Sequence, residues 1–329
     1  MNSRPICVLG LGLIGGSLTR AAAAAGREVW GATPSEGTAK AARADGYDVP
    51  ADAEQALGRA RESDALVVLA MPLPAVPAAL RQVAEVAPAC RLTDVVSVKA
   101  AVRDAVHTHA PRTRFVGGHP MAGTSSSGWP AGSATLFTDA NWVATLGDAP
   151  GGGTDREVWA DVAELAWDCG ARVVPAEVEE HDAAVGRISH LPHLLAAVLA
   201  AVAAGDHGKA VGGFTEPGAG PLALALAAGS FADGTRVMDT RPELVLAMCE
   251  GNRAGLLSAV DDALGRLGAA RGSLASTGGL AATVDAGHRS RQRWNDARVV
   301  PGRTVPRTIS IGELRALGAE GTALTGWSD

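Results

Sequence analysis

The chain has 329 residues, 47% of them hydrophobic, which supplies about two domains of roughly 150 residues with packed cores and excludes a disordered chain. Twenty-nine basic against 35 acidic residues leave a net charge of -6, with one arginine-flecked segment over 289–293, and this balance argues against nucleic acid as a partner. Cys7, Cys90, Cys169 and Cys249 stand in neither a disulfide framework nor a metal-ligand spacing, so free thiols in a reducing, cytoplasmic compartment are expected.

Arg4, an apolar run over 6–18 and the alanines at 21–25 imitate a secretory leader, but Gly10, Gly12, Gly15 and Gly16 interrupt the run at spacings that belong to a strand-turn-helix. Strand-like runs occupy 6–10, 28–33, 65–72, 92–97 and 114–120, and alanine-rich helical segments lie between them at 17–25, 36–45, 74–87 and 99–109. Short β-branched strands alternating with helices predict right-handed βαβ units on a parallel sheet. Strands at 141–147 and 171–177, around a helix at 154–169, are expected to extend that sheet.

After Glu177 the pattern is helical only, over 178–204, 221–231, 241–271 and 279–296, with glycine-rich breaks such as 212–221. The expected organisation is therefore an α/β domain at 1–178, an all-helical domain at 179–296 and a tail at 297–329 that is loose or orders on contact. LLAAVLAAVAA and LALALAA are apolar around most of their circumference, more than one small domain can bury, so a homodimer through the helical domain is expected. The longest such stretch, 191–204, is too short to span a bilayer and contains His193, so no membrane partner is expected.

Gly10-Leu-Gly12-Leu13-Ile14-Gly15 follows a strand and opens a helix, the context in which this glycine spacing signifies dinucleotide binding. Gly10 permits a tight turn, Gly12 lets backbone approach a pyrophosphate, and Gly15 lets helix and strand pack closely. The phosphates would lie on the helix N-terminus, against its free N–H groups. The second strand ends in Thr33 instead of the acid that selects NAD, followed by Pro34 and Ser35; Lys40 and Arg43 are the nearest cations and Glu36 the nearest acid. Both NAD and NADP stay open, with NAD preferred.

Open α/β sheets bind ligands at the carboxyl ends of their strands. Ser97 ends one such strand and His119 another, with Pro120 holding His119 out of the helical region. Ser97 has a second reading as the N-cap of the following helix, and His119 as a turn residue. On the helix after Glu179, at about 100° per residue, Asp182, Gly186, Ser189 and His193 share one stripe, a polar and small face suited to a pocket wall. His190 and His193 have a metal-like spacing but no third ligand close in sequence, so no metal is expected. His190 reads better as a core histidine than His193 does, and Pro192 should bend or break the helix.

G-x-G-x-x-G-x-S at 10–17, TDVVSVK at 93–99, GGHPMAGT at 117–124, HDAAVGRISHLPH at 181–193 and GTRV at 234–237, with Pro242 and Asn252 after them, resemble in kind and order the prephenate dehydrogenase family, over about residues 5–290. The resemblance implies an N-terminal Rossmann-type domain with a helical dimerisation domain, and oxidative decarboxylation of prephenate to 4-hydroxyphenylpyruvate on the route to tyrosine. It implies that His119 takes the proton of the substrate's C4 hydroxyl, that Ser97 hydrogen-bonds the same hydroxyl, that Arg236 binds a carboxylate and that His193 lines the substrate and nicotinamide site. Thr124 and Ser125 fall in the matching substrate loop, and Asp233 matches an acidic position that would orient Arg236. Ser125 stands where many relatives carry an acid, which puts ionic gating in doubt.

Physical chemistry agrees with these roles. Hydride leaves C4 more easily as the hydroxyl loses its proton, a task for a neutral imidazole, and arginine grips a carboxylate through two parallel hydrogen bonds. Arogenate, which differs from prephenate far from C4, would be served by the same motifs. A non-catalytic dinucleotide sensor would have no need to keep His119, Ser97 and Arg236 together. A β-hydroxyacid dehydrogenase would need a helical-domain lysine, for which only Lys209, in a glycine-rich segment, is available.

Overall fold

The computed structural model describes residues 4–124, 126–149, 153–205, 219–297 and 302–328. The chain opens with β1 (Ile6–Leu9), α1 (Leu13–Ala24), β2 (Val29–Ala32), α2 (Glu36–Ala44), α3 (Ala53–Ser63), β3 (Leu66–Leu69), α4 (Val76–Val86), β4 (Arg91–Asp94), α5 (Ala100–His109) and β5 (Arg114–Phe115). The five strands form a parallel sheet in the order β2-β1-β3-β4-β5. The central strands ICVL and LVVL are buried throughout, as continuous apolar runs covered by helices on both faces must be. The leader-like residues thus form β1 and α1. Helix α3 was not expected from its charged sequence; Asp52 caps it by accepting the Gln55 N–H.

The run at 114–120 is not one strand. After β5 the chain turns away and forms β6 (Gly118–Pro120), antiparallel to β7 (Asn141–Leu146), with His119 opposite Val143. Helix α6 (Arg156–Asp168) then leads to β8 (Arg172–Glu177), parallel to β7. These strands do not extend the first sheet; they belong to a second one, in which β6, β7 and β8 are neighbours in that order.

The helical half comprises α7 (Val178–Val185), a π-helical turn over Gly186–His190, α8 (Leu191–Ala204), α9 (Ala219–Ala225), α10 (Gly229–Thr235), a 3-10 turn over Arg236–Asp239, α11 (Pro242–Gly251), α12 (Arg253–Leu274) and α13 (Ala281–Ala297). The glycine-rich break at 212–221 lies mostly outside the described residues. Pro192 does not break the helix: Val178–Ala204 runs on for 27 residues, long and apolar enough by length and composition to cross a membrane, though its first turns carry Glu179, Glu180 and Asp182. The π turn just before Pro192 accommodates the N–H that proline lacks. Leu195, Val198, Leu199 and Val202 on α8 are exposed, as are Leu257, Leu264 and Leu267 on α12.

The segment expected as a tail returns to the α/β half. It forms β9 (Arg303–Pro306), α14 (Ile311–Ala319) and β10 (Leu324–Ser328), with β10 antiparallel to β8 and parallel to β9. Val305, Ile309, Leu314, Leu317 and Leu324 join the main core, and a Ser310–Glu313 capping box starts α14. Trp327 packs edge-on against Trp167 at 5.0 Å. Apolar residues spaced across 305–324 among prolines and glycines hid this unit from a reading by periodicity.

Candidate active site

The three fingerprint glycines do three different jobs. Gly10 has φ +104°, and a Cβ there would overlap the carbonyl oxygen of Ala70. A Cβ on Gly15 would overlap the carbonyl of Gly10, so only glycine lets α1 lie this close to the turn. A Cβ on Gly12 would meet nothing within 4 Å. Gly12 is the N-cap of α1 and has no side-chain cap, while Leu13 and Ile14 are half-buried in the first turn. Gly12 is exposed, and the N–H groups of a helix's first turn have no intrahelical acceptor, which suits a pyrophosphate.

At the end of β2, Thr33 Oγ1 accepts the Ser35 N–H at 3.4 Å, and Ser35 caps α2. Arg43 is committed elsewhere, donating to the carbonyls of Val49 at 2.8 Å and Pro50 at 3.0 Å. Lys40 is exposed with no ion-pair partner among the described residues.

Strand β4 ends at Asp94, so Ser97 sits in the turn beyond it, half-buried, and is not the N-cap of α5; that position is Lys99, whose side chain does not cap. Fully buried Lys99 pairs with fully buried Asp94 and donates to the Gly118 carbonyl at 2.6 Å. Asp94 in turn accepts the N–H of Gly118 at 3.2 Å and of Val96 at 2.9 Å. A charge pair in this setting is satisfied only when the strand carrying His119 lies against the turn carrying Ser97, so it fixes the two segments together.

His119 is 9% exposed, within β6 and not at a strand end. Its Nδ1 lies 2.8 Å from His181 Nε2, and His181 Nδ1 lies 2.8 Å from Asp182 Oδ1. Asp182 also accepts the backbone N–H of Lys99 at 2.8 Å and of Ala100 at 2.9 Å, supplying the cap that α5 lacks. Burial opposes ionisation of Asp182, but the hydrogen bonds from His181 and the two backbone N–H groups outweigh it and hold the carboxyl below its usual range. Burial, reinforced by His181, Lys99 and His190, holds His119 well below the usual imidazole value, and burial likewise lowers His181 despite Asp182. Both rings are therefore neutral at neutral pH, and His119 Nε2 has no partner among the described residues.

Asn252 interrupts the helix expected at 241–271 and is buried; its Nδ2 donates to the Asp182 carbonyl at 2.7 Å and lies 3.1 Å from His190 Nδ1. Gly186 lets α12 approach the π turn, since a Cβ there would meet Gly255 at 2.8 Å. His190 is fully buried, its Nε2 without a hydrogen-bond partner among the described residues, and burial lowers its pKa to about 4.

The structure thus brings His119, the Ser97 turn and the Asp182 face of α7 together. His193 lies one turn beyond the π bulge, half-buried, its Nδ1 2.9 Å from the Ser189 carbonyl oxygen. Arg236 and Asp233 are exposed on the turn and helix beside α8 and form no ion pair with each other among the described residues. Thr124 is exposed, and Ser125 and Lys209 lie outside the described residues. Sequence reasoning missed His181, Lys99, Asp94 and Asn252 as members of the site. The available signal was the inward series 181, 182, 185, 186, 189 and 190 along one helix, which the structure buries wholly or in part.

Residues 18–175 match the family described as prephenate dehydrogenase, nucleotide-binding domain, and residues 177–277 match prephenate dehydrogenase, dimerization domain. A cyclohexadienyl dehydrogenase of Zymomonas mobilis is 32% identical over 282 residues, 83% of this chain and 89% of that protein. Among solved structures, a candidate prephenate dehydrogenase of Corynebacterium glutamicum superimposes with a TM-score of 0.89 at 42% identity, covering 99% of this chain and 100% of that one. The arogenate dehydrogenase of Synechocystis gives 0.69 at 28% identity, covering 89% and 98%. With both domains matched in order and the glycine turn in place, this chain is an oxidoreductase that belongs to the prephenate dehydrogenase family.

Proposed function

We propose that the protein oxidises and decarboxylates prephenate to 4-hydroxyphenylpyruvate, with His119 as the general base. The observation that supports this most is a buried, neutral imidazole beside the Ser97 turn, with one nitrogen held by His181 and the other without a partner among the described residues. A bound nicotinamide dinucleotide supplies the hydride acceptor. Its pyrophosphate would be held by the N–H groups of Gly12, Leu13 and Ile14 in the turn from Gly10 to Gly15, and its adenosine ribose by Thr33. NAD is preferred to NADP, because Arg43 already donates to two backbone carbonyls and Glu36 stands at the ribose end.

His119 Nε2 takes the C4 hydroxyl proton as hydride leaves C4, with Ser97 hydrogen-bonded to the same oxygen. The bond from C1 to its carboxylate then breaks, carbon dioxide departs, and the released electron pair restores the aromatic ring. The phenolate oxygen recovers the proton from His119, so the base is regenerated in each turnover. Arg236 holds a substrate carboxylate, Thr124 and Ser125 belong to the loop over the substrate, and His193 lines the pocket. Two copies pack through the exposed apolar faces of α8 and α12, in keeping with the name of the matched domain, and the free cysteines suit the cytoplasm.

Arogenate is the second reading, favoured by the Synechocystis relative. Steady-state kinetics with each substrate against NAD and NADP test both: the highest kcat/KM is expected for prephenate with NAD. Preference for arogenate would transfer the assignment to the second reading, and no dinucleotide reduction with either substrate would refute the proposed reaction.

A further inference from the structure

We propose that Asp182, acting through His181, sets the tautomer of His119 and so makes its Nε2 the proton acceptor. Both are positioning residues. This inference rests on the assignment of His119 as the base and explains how the fold makes it one.

Each proton along the three side chains has one possible place. An ionised carboxylate only accepts hydrogen bonds. Asp182 Oδ1 lies 2.8 Å from His181 Nδ1, so that nitrogen carries a proton. A neutral imidazole has one N–H, which leaves His181 Nε2 with a lone pair. His119 Nδ1 lies 2.8 Å from that lone pair and must therefore be the protonated nitrogen of its own ring. The remaining nitrogen, Nε2, is left bare. The near-perpendicular rings, 74° apart with centroids 5.1 Å from each other, direct a nitrogen of one ring at the other instead of stacking the faces.

The carboxylate at the head of this chain is itself fixed from outside it. Backbone N–H groups of Lys99 and Ala100 reach its two oxygens, and Asn252 holds the carbonyl of the same residue. The other charged or titratable groups acting on His119 are Lys99, committed to Asp94 and the Gly118 carbonyl, and His190, whose Nδ1 faces Asn252. None of these hydrogen bonds of Lys99 and His190 is with His119, so among the described residues His181 determines which nitrogen is protonated. When His119 accepts the substrate proton, its Nδ1–H continues to point at His181, whose opposite edge faces the carboxylate, and the new positive charge is stabilised along the same line. The logic parallels that of a catalytic triad, in which the carboxylate holds an imidazole in the useful tautomer and its replacement by an amide lowers kcat by about 10⁴.

Asp182→Asn is the discriminating variant. With its amide nitrogen in the place of Oδ1, giving up the Lys99 N–H while its oxygen keeps the Ala100 N–H, the new side chain donates to His181 Nδ1, which moves the His181 proton to Nε2 and the His119 proton onto its own Nε2. Long-range ¹H–¹⁵N spectra of protein labelled in histidine report the tautomer without turnover. The wild type is expected to show His119 with a pyridine-like Nε2 and a pyrrole-like Nδ1, the variant to show the reverse. In the variant kcat should fall by about 10²-fold or more with KM for both substrates little changed. One backbone N–H at the start of α5 loses its acceptor in this variant, so Tm falls in either case, whereas loss through a loosened fold would also raise KM. A pyrrole-like Nε2 on wild-type His119, or an Asp182→Asn variant with unaltered tautomer and kcat, overturns the proposal. If the tautomers behave as expected but His119→Asn retains full turnover, the base assignment fails while the tautomer control stands.

Discussion

The carboxylate of Asp182 accepts the backbone N–H of Lys99 at 2.8 Å, joining the first helix of the helical half to the turn that carries Ser97. Lys99 sends its side chain the other way, to Asp94 and the Gly118 carbonyl, next to His119. One lysine thus links three segments, the turn bearing Ser97, the strand bearing His119 and the helix bearing His181 and Asp182. The helical half consequently helps to build the base as well as the substrate pocket.

Replacing the base should separate chemistry from binding. His119→Asn should lower kcat by about 10²-fold or more, in the range for loss of a general base. Dinucleotide affinity, measured by fluorescence titration, should remain within about twofold, because the glycine turn is untouched.

Arg236→Ala should chiefly raise the KM for prephenate, by about tenfold or more, since a carboxylate clamp operates in ground and transition states alike. Arg236 is exposed and has no ion-pair partner among the described residues, so Tm should hardly move. A fall in kcat at unchanged KM would assign it a different role.

Lys99→Met should cost about 3–5 kcal/mol in urea unfolding, because it leaves Asp94 charged or protonated in a fully buried site without its partner. Gly12→Ala gives the contrasting outcome. Its Cβ meets nothing within 4 Å, so stability should hold within about 1 kcal/mol while the KM for dinucleotide rises about tenfold.

Acid should weaken both fold and activity. His190 has its pKa lowered from 6.5 to about 4, chiefly by burial, so on acidification the unfolded chain takes up the proton first. Its contribution is fully present above pH 6.5 and is lost as pH falls toward 4, on the order of 2 kcal/mol by about pH 5. His119 and His181 shift in the same direction and add to the loss. Unfolding midpoints at about pH 7.5 and about pH 5 should therefore differ less in His190→Asn than in the wild type. The acid limb of kcat/KM, which reports the free enzyme, should lie below 6.5, because His119 is depressed well below that value.

Much of this was legible from the residues. Alternating β-branched strands and helices give the parallel sheet, and the glycine spacing gives the dinucleotide turn, because both follow from local rules of backbone and burial. His119 and Ser97 were legible as polar groups near the carboxyl ends of strands, although His119 proved to lie inside β6. The His119–His181–Asp182 chain was not, because a histidine on a helix reveals nothing about which strand will pack against it. Asn252 was legible only within the family pattern, because the apolar pattern of the helix runs through it; its buried partners Asp182 and His190 explain the break. The C-terminal strands escaped because β9 and β10 are short, each with one buried apolar residue, and are held by pairing to a sheet whose other members lie far earlier in the chain.

The most direct measurement is a crystal structure with dinucleotide and an unreactive prephenate analogue. The C4 hydroxyl should lie within about 2.6–3.2 Å of His119 Nε2, with a ligand carboxylate on Arg236. A hydroxyl turned away from His119, or a ligand bound on the far side of the sheet from it, would contradict the assignment.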